Sequence, residues 1–179
     1  MSKLLILGSI AFDQIETPFG KSNSIMGGSA NYIALAAAQF EIPAAVVSIV
    51  GSDYPQQYLN LLTERRIDVS GIEIVQGGKT LFWSGKYHND MNQRDTLDTQ
   101  LNVINDFKPV VPEAFRDAEV LLLGNLHPSL QMDVLNQMTQ RPKLVVMDTM
   151  NYWMNHTWDL LMEVIARVDV ITINDEEAR

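Results

Sequence analysis

An α/β fold, a mostly parallel sheet with helices on both faces, is what this sequence predicts, and three observations carry the prediction. Short apolar runs recur at Leu4–Leu7, Ala44–Val50, Val120–Leu123, Leu144–Met147 and Val168–Ile173. Each has strand length and is mostly rich in Val, Ile or Leu, as strands buried on both faces are. Between them lie helical periodicities at Ser29–Phe40, Tyr54–Arg65, Ser129–Thr139 and Trp158–Arg167, and strand alternating with helix builds a covered parallel sheet. Two intervals, 15–26 and 72–104, break that rhythm: apolar alternates with polar, and turn signals stand at Gly77-Gly78 and His88-Asn89-Asp90. They predict antiparallel strands with one wet face. The organisation expected is an α/β core from residues 1–14, 27–71 and 105–179, carrying a small antiparallel β unit from 15–26 and 72–104.

Along the chain, the apolar stretch from Leu4 to Phe12 follows Lys3 as the core of a signal peptide would, but Gly8-Ser9 interrupts it and Asp13 ends it, so it reads as a first strand. Asp13 then follows a buried strand. An Asp there serves as a turn residue, or as a carboxylate facing the crevice where parallel sheets bind ligands. In the second role its two oxygens suit a vicinal diol. Next, Gly27-Gly28 opens an Ala-rich helix with Asn31 in its first turn, which brings backbone N–H groups and a carboxamide to a helix start that can hold hydroxyl or anionic groups. The same residues also make a tight turn and support the helix start. Phe82, Trp83 and Tyr87 are half-buried β residues or rings over a pocket. Asp148 and Asn151 read as a strand-end Asp with a turn. Asn174-Asp175-Glu176-Glu177 has the pattern of a capping box.

Composition narrows the function. With 179 residues, 46% hydrophobic and 20% charged, the chain can bury one good core plus an appendage. A net charge of -9, from 13 Lys+Arg against 22 Asp+Glu, gives no basic footprint and argues against nucleic acid or an anionic membrane as partner. The absence of Cys excludes disulfides and thiolate metal sites and fits a reducing cytoplasm. His88, His127 and His156 lack metal-ligand spacing. No run approaches the ~20 apolar residues of a membrane span. Gly78-Lys79-Thr80 resembles the tail of a P-loop, yet Glu73 stands where that motif needs its first Gly.

Three motifs in order resemble the ribokinase-like (PfkB) family of carbohydrate and nucleoside kinases: L-L-I-L-G-S-I-A-F-D with Gly8 and Asp13; the Gly27, Gly28, Asn31, Ala34 and Gly51 series; and Asn174 to Glu177 as N-x-x-E. Glu41 departs from the family, which usually has Gly at that helix end. The resemblance implies that Asp13, Gly27, Gly28 and Asn31 bind substrate hydroxyls. It implies that Asn174 and Glu177 serve the ATP phosphates and Mg²⁺, with Glu177 reaching the metal through water. It makes the antiparallel unit a β lid, with one face over the pocket and the other pairing two copies in a homodimer. The activity implied is ATP-dependent phosphorylation of a hydroxymethyl group of a sugar; the alternatives are an adenosine-like nucleoside or a non-catalytic sugar-binding remnant. The family's D-T-x-G-A-G-D segment, which carries the catalytic Asp, has no counterpart here. The chain therefore looks like the N-terminal part of such a kinase and is expected to be inactive alone.

Overall fold

The computed structural model describes residues 3–91, 93–175, 177 and 178. Its strands are β1 (Leu4–Leu7), β2 (Ala11–Thr17), β3 (Gly20–Lys21), β4 (Ile25–Gly27), β5 (Ala44–Gly51), β6 (Ile67–Val75), β7 (Leu81–Tyr87), β8 (Arg94–Gln100), β9 (Val120–Leu123), β10 (Leu144–Asp148) and β11 (Val170–Thr172). Its α-helices are α1 (Ser29–Ala38), α2 (Gln56–Glu64), α3 (Pro128–Gln137), α4 (Asn151–His156) and α5 (Trp158–Ile165). The six-stranded main sheet has the order β11-β10-β9-β1-β5-β6, and every pairing in it is parallel.

Period-2 alternation along β1 and β5 explains why helices cover both faces. Leu5, Leu7, Ala45, Val47 and Ile49 pack with Val134 and Leu135 of α3 and with Leu161 and Val164 of α5. Leu4, Ile6, Ala44, Val46 and Val50 pack with Ala30 and Ala34 of α1 and with Leu59 and Leu62 of α2. The chain leaves β1 toward β5 and β6, then returns on the other side at β9. The carboxyl ends of β1 and β9 thus flank a topological switch point, where sheets of this kind form a ligand crevice.

The second sheet runs β3-β2-β7-β8, with β4 also on β2. It is mixed, not purely antiparallel: β2 and β7 run parallel over six registered residue pairs, Ala11↔Leu81 to Glu16↔Lys86. Alternation in the sequence reports a one-sided strand but not its direction, and the β2–β7 connection passes through α1, β5, α2 and β6. Two limits differ from the sequence reading. The second sheet already begins at Ala11, whereas Ile72–Val75 continue β6 in the main sheet, paired with Ser48–Gly51. The α4 helix replaces an expected turn.

One polar node ties the two sheets. Buried Thr80 donates from N and from Oγ1 to Asp53 Oδ1, at 2.8 and 2.7 Å, and its Oγ1 accepts from Gly51 N at 3.0 Å. Asn102 Nδ2 donates to the Thr80 carbonyl at 2.9 Å. Thr80 stands just before β7 and Asn102 just after β8, so this node fixes where the second sheet leaves the main body.

Candidate functional site

Asp13 lies inside β2, six residues beyond the end of β1, rather than at the end of a buried strand. It pairs with Ile25 of β4 and Trp83 of β7. The carboxylate is half-buried, and burial alone raises its pKa above the ordinary carboxylate value. Gly27 fits closely against it: a Cβ there would overlap the Asp13 carboxyl carbon and both oxygens. Gly28 has φ +90° and caps α1 without a side chain. A Cβ on Gly28 would overlap the Ser9 carbonyl oxygen and approach Ile10 Cα to 2.8 Å. The glycine pair therefore serves both close packing and a left-handed turn.

The start of α1 is clasped to the β1–β2 loop. Ser9 N donates to Ser29 Oγ and Ser29 N to Ser9 Oγ, each at 3.3 Å, and Ala30 N donates to the Ser9 carbonyl at 3.0 Å. Two of the helix-start amides expected to face a ligand are thus engaged by Ser9. Gly8 and Gly124, at the carboxyl ends of β1 and β9, both abut Ser29: an added Cβ would come within 2.7 and 2.6 Å of its Oγ.

Asn31 is fully buried. Its Nδ2 donates to the Gly27 carbonyl at 2.6 Å and to Tyr54 Oη at 3.1 Å, while Oδ1 has no hydrogen-bond partner among the described residues. Its amide thus ties the glycine turn to α1 and to Tyr54. Burial, opposed by the Asn31 hydrogen bond, pushes the Tyr54 hydroxyl up to about 12. Tyr32, one residue after Asn31, is half exposed and donates to the Met26 carbonyl at 3.0 Å. Its pKa is raised by burial and then by the Asp13 charge. Tyr54 carries no sequence signal, because it reaches Asn31 across 23 residues. Tyr32 could have been found as the next residue of the same helical turn.

Comparison with known proteins decides the relationship: the pfkB family carbohydrate kinase profile matches residues 1–179. This chain belongs to the pfkB family. A cytidine kinase from Thermococcus kodakarensis is 28% identical over 187 residues, covering 99% of this chain and 63% of that protein. The nucleoside kinase of Methanocaldococcus jannaschii, an archaeal member of the ribokinase family, superposes with a TM-score of 0.78 at 17% identity over 99% of this chain and 62% of its own. Ribokinase from Cryptococcus neoformans, solved with ADP, gives 0.62 at 16% identity over 90% of this chain and 55% of its own. The chain thus spans less than two thirds of the length of these relatives, and its α/β architecture is that of ribokinase-like structures.

Within this pfkB fold the second predicted group follows β11, the edge strand of the main sheet, while Asp13 belongs to the second sheet. Asn174 and Glu177 form a capping box: Asn174 N donates to Glu177 Oε2 at 2.9 Å and Glu177 N donates to Asn174 Oδ1 at 3.0 Å. Glu176, inside that motif, lies outside the described residues. Asp148, at the end of β10, has its pKa raised first by burial and further by the Glu177 charge, with the Thr149 amide opposing. Asp148 at the end of β10 and Glu177 beyond β11 are thus electrostatically coupled carboxylates. Sequence reading missed buried Gln131 of α3, whose Nε2 donates to the Gly124 and Asp148 carbonyls at 3.0 Å each and pins the ends of β9 and β10 together.

Proposed function

We propose that this chain forms the acceptor-binding part of an ATP-dependent kinase that phosphorylates a hydroxymethyl group of a sugar or nucleoside. The observation that carries the reading is Asp13. The fold half-buries this carboxylate near the β1/β9 switch point and packs it flush against Gly27. An ionised carboxylate so placed gains from donors that a substrate diol supplies. Gly27 leaves the approach open, Gly28 shapes the turn, and Asn31 keeps the Gly27 carbonyl in place. Asn174 and Glu177 serve the nucleotide end. The oxygen donors of Glu177 and Asp148 are of the kind a hard divalent cation such as Mg²⁺ takes, and the Glu177 charge adds to the cost of charge on Asp148 until a cation joins them. Bound there with ATP, the ion would neutralise charge on the transferred phosphoryl group. The Glu177 oxygen not engaged by Asn174 N remains to hold one of its waters. The base that deprotonates the acceptor hydroxyl belongs to the D-T-x-G-A-G-D segment absent from these residues. The chain by itself is therefore expected to bind acceptor without turnover.

A nucleoside acceptor is the second reading, favoured by the 28% identity to a cytidine kinase. Calorimetry of ribose, cytidine and adenosine on the wild type and on Asp13→Asn tests the site, with ADP release followed on the same samples. The amide nitrogen that Asp13→Asn introduces cannot accept, so one bond of the charge-assisted pair is lost, which should weaken acceptor binding roughly 10- to 100-fold at about 1.5–3 kcal/mol for such a bond. Equal affinities for the two proteins would remove Asp13 from the site, and sustained acceptor-dependent ADP release by residues 1–179 would show that the base lies within them.

A further inference from the structure

The registered β2–β7 pairing settles which ring accompanies Asp13. Residues opposite one another in adjacent strands project to the same side of a sheet, and Asp13 stands opposite Trp83, with Ile15 opposite Gly85. The opposite face holds Phe12, which packs edge-tilted on Tyr54 at 5.5 Å, and Glu16, which pairs with Lys86 at 3.1 Å. Of the three aromatic residues singled out in this strand, Phe82 thus faces away from Asp13. Trp83 and Tyr87 alternate onto the Asp13 side, and Trp83 is the residue registered opposite Asp13.

The indole of Trp83 is held in one orientation. Its six-membered ring lies over Gly85, where an added Cβ would overlap Cη2 and Cζ2 and approach Cζ3 to 2.9 Å. Nε1 donates to Thr96 Oγ1 of β8 at 3.3 Å, and Thr96 is the cross-strand partner of Gly85. One face of the ring is covered by backbone, and the residue as a whole stays only partly buried. A glycine in a strand interior often marks a close approach; here it makes room for the ring.

We propose that Trp83 is the specificity-determining residue of the acceptor site: its free indole face stacks a planar heterocycle attached to the diol-bearing ring that Asp13 holds, so the acceptor is a nucleoside rather than a free sugar. The spacing supports this. Gly85 lies two strand residues beyond Trp83, a step of roughly 6.6–7 Å at strand rise, so the ring platform stands about one pentose away from the carboxylate. A nucleoside spans that separation with its diol at one end and its base at the other. A free pentose reaches Asp13 and leaves the platform empty. Gly85 is then a specificity element too, since any side chain there would displace the indole while leaving Asp13 untouched.

This inference rests on the acceptor-site reading above, and its test separates the two. Ribose and cytidine dissociation constants are measured by calorimetry on the 179-residue chain and on Trp83→Ala, Trp83→Phe, Gly85→Ala and Asp13→Asn, with far-ultraviolet circular dichroism confirming each fold. Trp83→Ala and Gly85→Ala should weaken cytidine binding about tenfold or more, the loss expected of one base–aromatic stack. Ribose affinity should stay unchanged, and Trp83→Phe should recover most of the loss. Asp13→Asn should weaken both ligands. Equal losses for ribose and cytidine in Trp83→Ala, no loss for either, or a wild type that binds ribose but not cytidine would each overturn the stacking role while leaving Asp13 in place. Binding of both ligands unaffected by Asp13→Asn, or binding of neither to the wild type, would instead overturn the acceptor site itself. Should Trp83→Ala fail to fold, Gly85→Ala, which retains the indole, carries the same comparison.

Discussion

Asp13 shows how a single residue links stability to binding. Burial raises its pKa above the ordinary carboxylate value of 3.8 without an opposing hydrogen bond, so the folded protein holds the proton more tightly than the unfolded chain does. The stability this adds is fully present below pH 3.8 and is lost as pH rises through the folded value. Near neutral pH, ionised Asp13 therefore costs the empty protein stability. Asp13→Asn, which keeps the shape and removes the charge, should melt at a higher temperature than the wild type near neutral pH, and the two melting curves should converge in acid. Thermal melts across that pH range check this; a mutant less stable at neutral pH would show that the carboxylate makes a stabilising contact. At this scale the sequence singled out Asp13 but misplaced its setting. An Asp after an apolar run looks like a strand end, whereas two short strands, Leu4–Leu7 and Ala11–Thr17, divide that run between different sheets. Trp83 was legible only as an aromatic on a strand, because the side it faces depends on a parallel pairing with residues about 70 positions earlier.

Among the elements, helix α1 illustrates which local signals hold. Gly28 was readable as a turn residue, and its φ of +90° shows why no other residue fits easily. At the other end, Glu41 stands where the family usually has Gly, and the backbone keeps the left-handed conformation all the same: φ is 54°. Phe40 N and Glu41 N donate to the Ala37 and Ala38 carbonyls at 2.9 and 3.3 Å, so the helix tightens into i→i−3 turns that end at this left-handed residue. An L side chain in that region costs about 1–2 kcal/mol, offset in part because Glu restricts the unfolded chain more than Gly does. Glu41→Gly should accordingly stabilise the protein by about 0.5–1 kcal/mol, and since Glu41 is exposed and far along the helix from Gly28, acceptor affinity should not change. Urea unfolding measures the first and calorimetry the second; a destabilised Glu41→Gly would mean that the glutamate side chain supplies a compensating contact. Elements with strong periodicity were recovered nearly to their ends, β1 and β9 at both limits. The six-residue α4 was not, because M-D-T-M-N-Y-W is too short to show a helical period and starts without a side-chain cap.

At the scale of the whole molecule, the alternation of strand and helix made the main sheet legible, but the pairing partners of the second sheet were not, since they join segments separated by most of the chain's first half. That sheet also leaves an edge. All seven residues of β8 are exposed, and β7 pairs only one of its sides. A long, unprotected edge strand is a ready template for another strand, and exposed apolar residues gather near it: Leu97 is 54% exposed, and Leu101, just past its end, 43%. We propose that a second copy of the chain covers β8, making a homodimer through the lid, with closed two-fold symmetry satisfied by antiparallel β8–β8 pairing. Trp83 shares the Asp13 face of the sheet, so the edge is probed at a residue of β8 itself. Leu97 is better placed, at the bulge where β8 slips register against β7 between Ser84 and Gly85. Leu97→Asp should set two carboxylates near one another across such a pair and weaken the dimer by several-fold to tenfold, while leaving the affinity for ribose and cytidine in the monomer unchanged. Light scattering over a concentration series gives the mass of each protein; a wild type that stays monomeric at high concentration, or a Leu97→Asp dimer as tight as the wild type, would rule out β8 as the contact.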